Sequence, residues 1–245
     1  MSEASGAEPL ISVVVPVHDE AGAVAVLARE IARAFEGRAF EIIFIDDASR
    51  DATLDELIAV GRDLPMLRVL SHAANAGQSR AVRTGVLAAR GAIILTLDGD
   101  GQNPPDDGPR LVDALIAAPP DVAMVGGRRA SRQDSPAKRR ASLWANRIRK
   151  RLLDDDADDT GCGLKAFRRD AFLRLPYFDH VHRYLPALMI REGYRNLYLD
   201  VSHRHRETGR SKYTNWGRLR ASLWDILGVI WLKTRSRSPG TVREV

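Results

Sequence analysis

"AIILTLDGDGQNPP", residues 92–105, carries an apolar, β-branched run into Asp98 and Asp100, one residue apart, and then abandons regular structure between Gly101 and Pro105. A run this short, closed by Gly and Pro, has the length of a buried strand and not of a helix. Carboxylates at the mouth of such a strand lose hydration and repel each other. At i and i+2 on extended chain they can instead share one hard divalent cation, Mg²⁺ or Mn²⁺, which prefers oxygen ligands and substrate phosphates. Asp98 and Asp100 are the expected metal pair, with the Gln102 amide oxygen as a third ligand. A lone D-x-D is also ordinary turn chemistry, so the rest of the chain must arbitrate.

Outward from this strand the same pattern repeats. "ISVVVPV" (11–17) reads as a buried strand, and after "HDEAG" the residues Val24, Leu27, Ile31 and Phe35 recur at helical spacing. "EIIFIDD" (41–47) is a second strand, followed by a short helix with Leu54, Leu57 and Ile58 inward and Ser49, Asp51 and Thr53 as capping residues. "LRVL" (67–70) is a third strand. "AGQSRAVRTGVLAAR" (76–90) is a helix whose small residues Ala81, Gly85, Ala88 and Ala89 allow close packing on a sheet. The opening stretch supplies the fourth strand, residues 111–117 a helix and "DVAMVGG" (121–127) a fifth strand. Strands rich in Val and Ile, alternating with helices, predict an α/β fold with a mostly parallel sheet covered on both faces.

In such a sheet, ligands bind beyond the carboxyl ends of the strands. The polar clusters "PVHDE", "DDAS", "DGDGQ" and "GGRR" all follow strands and therefore meet on one rim. Neither a G-x-G-x-x-G turn after the first strand nor a P-loop signature is present. A phosphate cradle of backbone amides alone is not expected.

At 245 residues and 44% hydrophobic, the chain is long enough for a single α/β core. The single cysteine, Cys162, cannot form an intramolecular disulfide or a cysteine-rich zinc site and reads as a small buried residue. No basic region followed by an apolar stretch opens the N-terminus, so residues 1–10 are expected to be a flexible lead and not a secretory signal. The net charge of +5 points to a polyanionic partner. Basic residues crowd 128–151, with Asp134 the one acid, and "DDDADD" (154–159) then reverses the sign. By charge-block reasoning both runs read as solvated loops. The basic run lacks interleaved aromatic stacking residues, so no nucleic acid is expected as partner.

"VVVPVHDE", "IIFIDDASRDAT", "NAGQSRAVRTGVLAARGAIILTLDGDGQNPP", "GGRR", "DDTGCGLKAFRRD" and "HRHRETGRSKY" stand in the order and spacing of glycosyltransferase family 2. Together they resemble its polyprenyl-phosphate branch, the relatives of dolichol-phosphate mannose synthase, from about Ile11 to Tyr213. The resemblance implies a GT-A fold over 11–215, a UDP- or GDP-sugar donor, a divalent metal and inverting transfer to a polyprenyl phosphate. The product would be a lipid-linked sugar for cell-envelope glycoconjugates, made on the cytoplasmic face of a membrane. It places the donor against Pro16, Val17, His18, Glu20, Asp46, Asp47, Asp98, Gly99 and Arg128, and matches Asp98, Asp100 and Gln102 to metal ligands. At His18 and Asp19 the family usually shows Tyr and Asn, which leaves the base open.

The chemistry agrees. A departing nucleoside diphosphate gathers charge that a metal and arginines neutralise, and Arg128, Arg140 and Arg206 are the expected phosphate contacts, with Ser211 and Lys212 completing the R-x-x-G-x-S-K-Y pattern. An acceptor phosphate is already ionised and needs little help from a base. Transfer to a saccharide or protein hydroxyl would need one, and Asp159 is then the base. A non-catalytic binder of nucleotide-sugar or nucleic acid is the other alternative.

Residues 216–245 are expected to form an amphipathic helix and tail. Leu219, Leu223, Ile226, Leu227 and Ile230 make one stripe, with Trp224 and Trp231 nearby and basic residues at both ends. The run is too short and, with Asp225, too polar to span a bilayer. It is expected to lie on a membrane surface or to meet a membrane partner protein.

Overall fold

The β-branched run at the start becomes β1 (Ile11–Val17), buried at every position, and its neighbours are β2 (Phe40–Asp46) on one side and β4 (Ile93–Thr96) on the other, both parallel to it. The computed structural model describes residues 11–129, 150–153, 155, 157, 159–204 and 215–236, the last stretch with side chains from 224. With β3 (Leu67–Ser71), β5 (Val122–Arg129), β6 (Lys165–Arg168) and β7 (Arg195–Val201) these strands form one seven-stranded sheet in the order β3-β2-β1-β4-β6-β5-β7. The sheet is mostly parallel, as expected, with one reversal: β6 runs antiparallel between β4 and β5. That reversal brings the start of β6, and not its end, to the rim where β1, β2, β4 and β5 finish. Asp98, Lys165 and Arg129 come together there.

Both faces are covered. On one, α1 (Val24–Ala34), α2 (Thr53–Gly61) and α4 (Gly108–Ala117) cover Val13, Val15, Ile42 and Phe44. The α1 stripe is the expected one, with Val24, Leu27, Ile31 and Phe35 all buried. In α2, Leu57 and Val60 turn inward while Ile58 is 49% exposed, against the expectation for Ile58. On the other face lie α3 (Gln78–Ala88), α5 (Arg169–Arg174), α6 (Leu185–Arg191) and α7 (Asn215–Thr234). The close approach of α3 depends on Gly85, where an added Cβ would lie 2.4 Å from Val14 Cγ1 and 2.7 Å from Ile45 Cδ1.

The acidic run does not behave as a solvated loop. Of its described residues, Asp155, Ala157 and Asp159 are all buried. The basic run falls almost wholly outside the described residues, as do residues 1–10 and 237–245.

At the end of the sheet opposite the rim, Glu41 is buried and accepts hydrogen bonds from Ser12 Oγ (2.7 Å), the Arg90 amide (2.7 Å) and Arg68. Burial alone would raise its pKa, but these donors outweigh it and hold the carboxyl below its ordinary value. A depressed folded pKa contributes stability that is complete above the unfolded value and is lost as pH falls through the folded one. Glu41→Gln is expected to cost about 3 kcal/mol at neutral pH, roughly 10 °C in Tm, and to flatten the fall in Tm below about pH 5. Thermal melts from pH 7 to pH 3 check it; parallel wild-type and variant curves would refute it.

Candidate functional site

The rim is assembled by two loops that hold each other. After β1 the chain turns at Asp19, whose φ of 52° is left-handed, and successive backbone amides then meet side chains from the segment after β2. Asp19 N–H donates to Ser49 Oγ (2.9 Å), Glu20 N–H to Thr53 Oγ1 (2.8 Å), Ala21 N–H to Asp51 Oδ2 (3.2 Å) and Gly22 N–H to Glu56 (2.9 Å). Ser49 and Thr53, expected as helix caps, thus stitch the two loops instead, while Asp51 does both, its Oδ2 accepting from Ala21 and its Oδ1 from the Thr53 amide that opens α2 (3.0 Å). The reason is competition: the 19–22 amides lie outside any ladder and need acceptors.

Asp46 and Asp47 end β2 almost fully buried. Asp46 accepts from the Ser49 amide (3.2 Å) and Ser71 Oγ (3.0 Å). Asp47 accepts from the amides of Ala76 (2.9 Å) and Gly77 (2.7 Å) at the start of α3 and lies 2.7 Å from His72 Nδ1. These carboxylates brace the segments that follow β2 and β3. His18 Nδ1–H donates to the Asp47 carbonyl (2.9 Å), which fixes its tautomer and leaves its Nε2 3.5 Å from Asp19.

Asp98 and Asp100 project from the end of β4, each half-buried. Gln78 Nε2 donates to Asp98 Oδ1 (2.8 Å), and Asn103 Nδ2 lies 3.5 Å from Oδ2. Desolvation first, and Asp100 second, raise the Asp98 pKa above its ordinary value. Asp100 Oδ1 accepts the Gln102 amide (3.1 Å), and the Gln102 carbonyl accepts the Arg204 amide (2.9 Å). Ser202 N–H is anchored nearby on Asp107 (2.7 Å), so the chain leaving β7 (Arg195–Val201) passes directly by the Asp98–Gln102 loop. The set Asp98, Asp100 and Gln102 offers only hard oxygens, with two formal charges that repel in the apo rim. That chemistry fits Mg²⁺ or Mn²⁺ completed by phosphate oxygens; among the described residues no cluster of three His, Cys, Asp or Glu could hold a metal by itself.

Beneath Asp98, an open cavity is lined by Pro16, Gln78, Val82, Lys165, His182 and Leu185. Lys165 is buried, donates to the Cys162 and Thr160 carbonyls, and has its pKa pushed down by burial. Cys162 is buried and its thiol pKa is raised by burial, in keeping with a packing role. Gly163 lies against Asp98 so closely that an added Cβ would meet Oδ2 at 2.2 Å.

Arg128 is drawn to Asp200 (2.6 Å) at the rim's edge, while Arg129 turns inward to Asp159 through Nε (2.7 Å) and Nη2 (2.8 Å). The Asp159 bonds raise the Arg129 pKa. Both Asp159 oxygens are thereby engaged by a guanidinium. Of the remaining expected residues, Arg140, Arg206, Ser211 and Lys212 lie outside the described residues. Gln78, Arg129, Gly163, Lys165 and His182 at this site were not anticipated. Gln78, Arg129, Gly163 and Lys165 sit inside the quoted motifs, whereas nothing in the sequence marks His182.

A model of glycosyl transferase family 2 matches residues 12–175. The chain is 34% identical over 236 residues to a dodecaprenyl-phosphate galacturonate synthase of Rhizobium johnstonii, covering 94% of this chain and 69% of that protein. It is 36% identical over 208 residues to an undecaprenyl-phosphate 4-deoxy-4-formamido-L-arabinose transferase of Pseudomonas aeruginosa, covering 84% of this chain and 60% of that protein. Among solved structures it resembles a mannosyltransferase of Pyrobaculum calidifontis bound to GDP-mannose and Mn²⁺, with a TM-score of 0.65 at 18% identity, covering 96% and 66% of the two chains. It also resembles a glucosyl-3-phosphoglycerate synthase of Mycobacterium tuberculosis bound to Mn²⁺, UDP-glucose and phosphoglyceric acid, with a TM-score of 0.66 at 17% identity, covering 95% and 82%. The fold shared with both is GT-A.

Proposed function

Since the chain belongs to glycosyl transferase family 2, we propose that it moves a sugar from a UDP- or GDP-sugar onto a polyprenyl phosphate at the cytoplasmic face of a membrane. The observation that carries this reading is the Asp98–Asp100 pair at the β4 rim, beside an open cavity lined by Asp98, Gln78, Lys165 and His182. The printed activities of both relatives, each acting on a polyprenyl phosphate, support the acceptor class. The chain spans 69% and 60% of those relatives, so this activity is carried over only as a proposal.

In this reading, the acceptor phosphate oxygen attacks the anomeric carbon from the face opposite the leaving diphosphate. The carbon–oxygen bond to the diphosphate breaks, and the configuration inverts. Asp98, Asp100 and the Gln102 amide oxygen would hold a divalent cation, which when bound neutralises charge on the departing diphosphate. Pro16, Val17, His18, Glu20, Asp46, Asp47 and Gly99 form or brace the nucleoside side. Arg128, Arg140, Arg206, Ser211 and Lys212 are assigned to donor and acceptor phosphates. Asp159 braces Arg129, an arrangement that suits an acceptor needing no protein base better than transfer to a hydroxyl.

The test is release of nucleoside diphosphate by the full chain with Mn²⁺ or Mg²⁺, a panel of UDP- and GDP-sugars, and a short polyprenyl phosphate. Release that needs one donor and the lipid phosphate together supports the reading. Release driven equally well by a saccharide hydroxyl, and lost in Asp159→Asn, would replace it.

The lipid acceptor requires access to a bilayer, and α7 supplies a face for it. The helix splits its apolar residues differently from the expected single stripe. Val229 is buried, and Ile226, Ile230 and Leu232 pack on the domain; Trp224, Leu227 and Trp231 are 68%, 57% and 58% exposed on the opposite side. Asp225 accounts for the orientation, because its carboxylate meets His180 Nδ1 at 3.0 Å. Among the described residues no helix is long and apolar enough to cross a membrane. We assign the Trp224–Leu227–Trp231 face to an anionic lipid surface, with the aromatic rings at headgroup depth. Replacing both tryptophans by serine is expected to weaken binding to phosphatidylglycerol vesicles by about a hundredfold. Cosedimentation measures it; undiminished binding would move the face to a protein partner.

A further inference from the structure

We propose that His182 is a positioning residue for the transferred sugar: an imidazole oriented by Ser79 whose Nε2–H meets one sugar hydroxyl. The proposal deepens the function given above and rests on it.

Ser79 is 1% exposed, and its Oγ lies 2.7 Å from His182 Nδ1 and 3.5 Å from the His182 backbone N–H, which donates to it. With that N–H as its donor, the hydroxyl has its own hydrogen free for Nδ1, which leaves the ring proton on Nε2. Among the described residues Nε2 has no partner, yet the ring lines the cavity that Asp98 and Gln78 also line. A half-buried ring nitrogen with a fixed proton and nothing to donate to is matched by a ligand atom in that cavity.

Two features select the ligand group. Burial first, and the charges of Arg183 and Lys165 after it, push the imidazole pKa down to about 3, so the ring is uncharged at neutral pH. An uncharged donor suits a hydroxyl, whereas phosphate oxygens are better served by guanidinium or ammonium groups. The cavity walls near the ring, Pro16, Val82, Leu97 and Leu185, are apolar and suit the carbon face of a sugar.

The register is set by a single helix turn. Gln78 and Ser79 are adjacent at the start of α3: Gln78 holds Asp98, and Ser79 holds His182. The imidazole is thereby fixed relative to the carboxylate that faces the donor diphosphate. The sugar, attached to that diphosphate, extends toward the ring.

The full chain is assayed with its active nucleotide-sugar and with donors lacking one sugar hydroxyl each, alongside affinity for the nucleoside diphosphate alone. For His182→Phe we expect nucleoside diphosphate affinity to hold within about twofold while kcat/KM for the intact donor falls about 30-fold. One deoxy donor, already poor with wild type, should lose almost nothing further. Ser79→Ala leaves the ring in place and should give the same pattern at about fivefold, so the comparison survives if His182→Phe fails to fold. Equal losses for nucleoside diphosphate and nucleotide-sugar, or the same fold-loss for every deoxy donor, would overturn the proposal. Wild-type protein that turns over no nucleotide-sugar would overturn the proposed function as well, and is distinguished by failing before any variant is made.

Discussion

Asp98→Asn is expected to lower sugar transfer by about a thousandfold, equivalent to about 4 kcal/mol of transition-state stabilisation, with the fold intact. The amide keeps the shape of the carboxylate and can still meet Gln78, but it removes the charge that a divalent cation requires. Stability should not suffer. A charged Asp98 loses hydration and faces Asp100, so an uncharged replacement relieves two unfavourable contributions, and Tm is expected to stay level or rise. A scan of Tm beside kcat/KM separates the two effects. Activity within tenfold of wild type, or a Tm lowered by more than a few degrees, would remove Asp98 from the role given to it. Titrating Mn²⁺ into wild type and variant, read by nucleoside diphosphate affinity, gives the same comparison without turnover.

Gly163→Ala is the second large effect, expected at about a hundredfold loss of kcat/KM from one added methyl group that itself carries no charge. The new Cβ would lie 2.2 Å from Asp98 Oδ2 and 2.3 Å from its Cγ. Atoms cannot share that space, and the Asp98 side chain is the softer party, so the carboxylate swings away from Asp100. Gly163 has no left-handed φ, and alanine therefore carries no backbone penalty; the loss of unfolded-state freedom even favours it slightly. Unchanged Tm with strongly reduced activity is the expected signature. Full activity would mean that the position of the Asp98 carboxylate does not matter.

The rim was readable because it rests on strong local signals. β1, β2 and β4 are continuous Val, Ile and Leu runs, and each ends on polar residues that the parallel arrangement must gather on one side. β6 was not readable. "KAFR" is four residues with a charge at each end, and its strand state comes from pairing on both sides, Leu95 with Ala166 and Val125 with Ala166, not from its own pattern. β7 escaped for a related reason: it lies at the sheet edge, with mixed exposure and with Arg195 and Asp200 among its seven residues. Along α7 the periodicity was real but ambiguous, since Ile226, Leu227, Val229 and Ile230 are apolar around more than one side. The contacts of Asp225 with His180, Leu232 with Arg191 and Lys233 with Leu153 mark which side faces in. Caps were misread at Ser49 and Thr53, though not at Asp51, whose Oδ1 accepts the Thr53 amide, because a short polar side chain before a helix has the same local chemistry whether its acceptor serves that helix or a loop thirty residues away.

The stitching of residues 19–22 to residues 49–56 has a consequence for redesign. Because the backbone amides of the first loop are met by side chains of the second, and Arg50 N–H donates back to Asp19, neither is a separate module. A nucleotide preference grafted from a relative by exchanging the second loop alone would remove the acceptors of residues 19–22, and the first loop would lose its shape. The exchangeable unit is the pair, two distant stretches of chain that must be inherited, or transplanted, together.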